Sequence, residues 1–167
     1  MKGLSFLVNE EYFAVDVDIV QKVARKMTIT PVPTAPDEII GITNLKGRVI
    51  TVLSLYRLLG HMEKRKEEYG VNIVNAIVFK PVSDNEDQIG LFIDKPGDLV
   101  EINDETVRPP SLPTGAEESF CISGIAEVDN RLYRIINIES IESRYKFKGE
   151  KTAEIILNGG IENEKDN

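Results

Sequence analysis

The chain carries an approximate copy of itself. Residues 41–55, GITNLKGRVITVLSL, recur as residues 124–138, GIAEVDNRLYRIINI, displaced by 83 positions with no gap. Gly41/Gly124, Ile42/Ile125 and Arg48/Arg131 are identical, and apolar residues recur at Leu45/Val128, Val49/Leu132, Val52/Ile135, Leu53/Ile136, Leu55/Ile138 and Leu58/Ile141. A weaker match pairs Ala14 to Asp18 with Gly90 to Asp94, displaced by 76. Two copies are too few for a solenoid, which needs at least about three repeats to bury a continuous core. Each copy must therefore close on itself, or the two must share a core. Half of a 167-residue chain buries only a little over ~60% of its unfolded surface, so the halves are expected to lean on each other.

The local signals are those of strands. Residues 4–8 and 12–17 are apolar runs around Asn9-Glu10-Glu11 and predict a strand pair. Residues 18–25 are short and β-branched, which predicts one helical turn leading into a strand. Pro31 and Pro33 keep residues 28–32 extended. In each copy two strands meet at a two-residue turn: 39–45 and 48–53 around Lys46-Gly47, 121–128 and 131–136 around Asp129-Asn130. Each hairpin exits into a short helix behind a capping residue, Ser54 or Asn137. Further strands are expected at 73–79, 89–93 and 99–102. The expected fold is all-β: two small SH3-like barrels of five strands each, with short connecting helices. The expected boundaries are about 12–70 for the first barrel and 72–140 for the second, with strand 4–8 assigned to neither. Residues 1–147 form one domain in this scheme, and 148–167, rich in Glu, Lys and Asn, form a disordered tail.

With 41% hydrophobic and 29% charged residues the composition is globular. A net charge of −8 argues against nucleic acid as a partner, since a phosphate backbone needs a basic surface, and disfavours anionic lipid. No run reaches the ~18 apolar residues of a membrane span. One cysteine, Cys121, excludes an internal disulfide and fits a small buried residue at a strand start. The expected location is the cytoplasm.

Chemistry is sparse. No nucleophile elbow, Cys/His pairing, H-E-x-x-H or phosphate loop is present. The lone His61 lies in a charged connector without companion ligands, and Asp16 and Asp18 alternate with Val15 and Val17 as the wet face of a strand. No catalytic, metal or cofactor residue is expected. Lys46, Arg48 and Arg131 are instead basic residues fixed at tight turns, suited to surface contact.

The segments VQKV (20–23), ITPVP (29–33), GITNLKGRVITVLSL (41–55), IGLFID with DLVEI (89–102) and ISGIAEVDNRLYRIINI (122–138) resemble, in this order, the CheW family of bacterial chemotaxis coupling scaffolds. The resemblance covers about residues 4–145. It implies two SH3-like barrels without catalysis and two partners: the regulatory domain of a CheA-type histidine kinase and the cytoplasmic tip of a methyl-accepting chemoreceptor, to whose membrane arrays the protein would be recruited. It places the receptor near a groove between the barrels and the kinase at the barrel ends. Partner contacts would include Val20, Lys22 and Val23, and the hairpin Asn44, Leu45, Lys46, Gly47 and Arg48. Three positions depart from the family pattern. Lys46 stands where arginine is usual, giving up a planar fork that can grip a carboxylate through two bonds. Lys22 stands where glutamate is usual and reverses a charge. Ser54 and Asn137 replace aspartate, an exchange among equivalent caps. The alternatives are a CheW-like adaptor in a receptor-kinase pathway outside chemotaxis, and a small-molecule-binding or enzymatic β-barrel with a site between the halves.

Overall fold

The computed structural model describes residues 1–60, 73–81, 88–110 and 120–145. His61, the connector that holds it and the tail 148–167 lie outside them. In chain order the elements are β1 (Lys2–Val8), β2 (Glu11–Asp16), a 3₁₀ turn (Val17–Ile19), β3 (Val20–Thr28), β4 (Ile39–Leu45), β5 (Arg48–Ser54), α1 (Leu55–Leu58), β6 (Ile73–Phe79), β7 (Gln88–Ile93), β8 (Lys95–Glu101), a second 3₁₀ turn (Asp104–Thr106), β9 (Ile122–Val128), β10 (Arg131–Ile136) and a final helix α2 (138–145). The ten strands form two five-stranded sheets, β8-β1-β2-β10-β9 and β3-β6-β7-β5-β4. The molecule is all-β with short helices, as expected.

The strands do not sort at the connector. Expectation put residues 12–70 in one barrel and 72–140 in the other, but β2 lies in the sheet of β8 to β10, and β6 and β7 lie in the sheet of β3 to β5. Strand 4–8, within β1, accompanies β2. Each half thus lends its leading hairpin to the other. The exchange is symmetric: β2 pairs in parallel with β10 at Ala14↔Ile135, and β7 pairs in parallel with β5 at Gly90↔Val52. Ala14 and Gly90 are partners in the weak repeat, and Val52 and Ile135 in the strong one. The two displacements found in the sequence therefore meet in a single conserved register.

Burial explains why the exchange is stable. Every residue of β7 is buried, so its sequence reads as a continuous apolar run without alternation. One face of the exchanged strands fills the barrel interiors: Val52, Ala76, Val78 and Phe92 in one, Ala14, Val100, Tyr133 and Ile135 in the other. The opposite face forms a third core shared by both sheets, where Phe6, Phe13 and Val15 meet Leu53, Ile77, Phe79 and Leu91. Phe6 and Phe13 stack there with ring centroids 5.7 Å apart. The buried Cys121 belongs to this layer. The halves lean on each other through it, as their small size requires.

The repeated glycine closes each barrel. Thr30, beyond β3, exchanges backbone bonds of 2.8 and 2.9 Å with Ile42 of β4. Arg108, beyond β8, does the same with Ile125 of β9 at 2.9 and 2.8 Å. Gly41 and Gly124 sit directly beneath these crossings. A Cβ on Gly41 would lie 2.8 Å from the Thr30 carbonyl oxygen, and one on Gly124 would overlap Val107 Cγ1. Only hydrogen fits there. The exits are capped as expected: Ser54 Oγ accepts from the Arg57 amide at 3.3 Å and Asn137 Oδ1 from the Ser140 amide at 3.2 Å. Each such cap contributes about 1 kcal/mol.

Candidate partner-binding surface

The hairpin of the first copy is a tight turn in which both central residues take positive φ, Lys46 at 52° and Gly47 at 81°. This geometry matches the right-handed twist of the flanking strands. Asn44 Oδ1 accepts from the Gly47 amide at 3.0 Å, which fixes the tip from below. Asn44, Lys46 and Gly47 are exposed, Arg48 is half-buried, and Leu45 packs against the interior core of its own barrel with Met27. The rigid frame thus holds the Lys46 backbone outside the core at small entropic expense.

β3 is an edge strand. Val20 and Val23 are half-buried against the shared core, whereas Lys22 is exposed. The antiparallel bridge of Thr30 with Ile42, reinforced by Thr43 Oγ1 donating to the Thr28 carbonyl at 2.9 Å, ties the middle of β4 to the end of β3. The sequence-predicted residues therefore fall into two groups: Val20, Lys22 and Val23 on β3 near the junction of the barrels, and residues 44–48 at the tip of the β4–β5 hairpin. Further along β3 lie Arg25 and Lys26, which sequence reasoning missed. They occupy a bulge where the pairing of β3 with β6 shifts between Ala24 and Met27; Lys26 takes φ 56°, and its amide donates to Asn75 Oδ1 at 3.1 Å. A lysine at positive φ leaves no recognisable signal in a single sequence.

The second hairpin has the same turn, with Asp129 at φ 51° and Asn130 at 63°, but a different tip. The Arg131 guanidinium lies 4.1 Å from the centroid of the Tyr12 ring. A hydrogen bond with Tyr133 holds its pKa above the ordinary arginine value. Where the chain changes barrel, an open groove of about 470 Å³ is floored by Ile19, Phe79, Ile135 and Ile136 and bordered by Asp16, Asp18, Glu139 and Glu142. Val20, Lys22 and Val23 do not line it. Among the described residues no group of three or more His, Cys, Asp or Glu could hold a metal ion, and no helix is long and apolar enough to cross a membrane.

Residues 2–145 match the family model described as the CheW-like domain. The chain belongs to that family. It is 28% identical over 139 residues to the chemotaxis protein CheW of Thermotoga maritima, covering 83% of this chain and 85% of that one. It is 24% identical over 139 residues to the chemotaxis protein CheW of Rhizobium meliloti, covering 83% and 84%. Among solved structures it is similar to the scaffolding protein TtCheW of Thermoanaerobacter tengcongensis, with a TM-score of 0.67 and 26% identity over 82% of this chain and 84% of that one. The two sheets thus correspond to the two SH3-like subdomains of a CheW-type chemotaxis scaffold.

Proposed function

We propose that this protein is a noncatalytic cytoplasmic adaptor that couples the regulatory domain of a CheA-type histidine kinase to the cytoplasmic tip of a methyl-accepting chemoreceptor. Family membership over residues 2–145 and similarity to a scaffolding protein support this reading. The observation that carries it is the first hairpin, where a turn fixed by Asn44 holds the exposed Lys46 beyond the core. Val20, Lys22, Val23 and Asn44 through Arg48 are the contact residues in this proposal. An adaptor works by surface contact, and interfaces of ~800 Å² per partner or less suit reversible assembly.

The test is titration of purified wild type and Lys46→Glu against a kinase regulatory domain and a receptor-tip fragment from the same genome. The exposed substitution should leave stability within about ±0.5 kcal/mol and weaken binding to one fragment or both. Wild-type affinities for the variant would show the hairpin tip to be only a turn. Lys22, opposite in charge to the glutamate usual in the family, favours a second reading: an adaptor of a receptor-kinase pathway outside chemotaxis. Lys22→Glu should then shift preference toward the more typical CheW partners.

A further inference from the structure

The charges of this acidic protein are segregated. From Ile19 to Met62 the sequence holds six Lys or Arg residues and two carboxylates, Asp37 and Glu38; the remainder holds 14 basic and 26 acidic residues. Arg57 pairs with Asp37 at 3.6 Å, while Lys22, Arg25, Lys26 and Lys46 are exposed and form no ion pair with a described residue. Lys22, Arg25 and Lys26 follow β3, whereas Lys46 and the half-buried Arg48 stand on the β4–β5 hairpin. Lys22 to Lys26 spans at most about 13 Å of strand. The bulge takes part in this arrangement, because both of its residues, Arg25 and Lys26, are exposed cations.

A simpler explanation is that lysines blunt an edge strand against pairing with other chains. The other barrel provides the comparison. β8 occupies the same edge position as β3, yet it carries one cation, Lys95, and two carboxylates, Asp98 and Glu101. Protecting an edge in this fold therefore does not require charge of one sign. A single-sign strip on a protein of net charge −8 also attracts opposite charge and steers association.

We infer that the strip of Lys22, Arg25 and Lys26 along β3 is a docking surface for an acidic face of a partner protein, and that Arg25 and Lys26 determine specificity. This rests on the adaptor reading and names the chemistry of the partner surface. The experiment compares wild type with Arg25→Glu/Lys26→Glu, neither residue belonging to the contacts assigned above, against the kinase regulatory domain and the receptor-tip fragment across a salt series. Arg25→Gln/Lys26→Gln replaces the double reversal if that variant does not fold. Wild-type binding should weaken as salt rises. The reversal should keep the melting curve and lose about tenfold or more in affinity for one fragment at ~50 mM salt, with the difference shrinking below about threefold at ~0.5 M.

Salt-independent wild-type binding, or equal affinities for wild type and variant, would overturn the inference and leave the adaptor reading standing. A variant that self-associates while binding both fragments normally would assign the cations to edge protection. Wild-type self-association abolished by the variant would reassign the strip to a second copy of this chain. Capture by phosphatidylglycerol vesicles, abolished by the variant while fragment binding is unchanged, would reassign it to lipid. Binding of neither fragment by the wild type would remove the adaptor reading and this inference together.

Discussion

Tyr145 closes α2 within the shared core, near Glu38, which immediately precedes β4 of the other sheet. Burial first, and the neighbouring Glu38 carboxylate second, push its pKa up to about 12. The unfolded chain would titrate near ~10, so the neutral phenol is favoured in the native state. This contribution is complete below about pH 10 and is lost as pH rises toward 12, because there the unfolded chain gives up a proton that the folded one retains. Tyr145→Phe should make the alkaline decline shallower. Urea midpoints at pH 8, 10 and 11 check this; parallel declines in the two proteins would show that Tyr145 is not the group responsible. At this scale the caps Ser54 and Asn137 could be read directly, because a short side-chain oxygen before an apolar run has one dominant structural use. Arg25 and Lys26 could not, since their importance comes from a bulge whose partner, Asn75, is 49 residues away.

The repeated hairpins were visible for a related reason. A two-residue turn demands positive φ, and Lys46-Gly47 and Asp129-Asn130 include residues that tolerate it. The first hairpin was less clear, because Asn9-Glu10-Glu11 reads as a three-residue spacer whereas Glu11 already belongs to β2 and the turn is Asn9-Glu10. The repeated glycines were noticed as identities, but the reason for them lies in segments outside the repeat, at Thr30 and Val107, which cross above them. Overpacking at such sites costs ~1–3 kcal/mol. Gly41→Ala should sit toward the high end, since backbone opposes the new methyl, and should loosen the barrel seam. Hydrogen exchange at the Thr30 and Ile42 amides provides the measurement. Unchanged protection, together with unchanged stability, would show that the crossing can move aside.

At the scale of the molecule, the number of strands and the shared core followed from the duplication, while the allocation of strands did not. Turn chemistry and periodicity are local, whereas the parallel pairing of β2 with β10 joins residues more than a hundred apart and is set by which apolar faces meet. The connector therefore does not separate two foldable pieces. Residues 1–70 expressed alone should lack a cooperative unfolding transition, as should 71–167, and mixing them should restore one; a sharp transition for either piece alone would contradict the exchanged topology. The same exchange sets a timetable for synthesis. The β1–β2 hairpin leaves the ribosome early, yet both strands that flank it, β8 and β10, lie far downstream. At ~5–20 residues per second the nascent hairpin waits roughly ten seconds with Phe6, Phe13 and Val15 uncovered. During that interval its apolar faces are available to chaperones or to neighbouring nascent chains, so the yield of this protein in a cell depends on translation speed as well as on the stability of its finished fold.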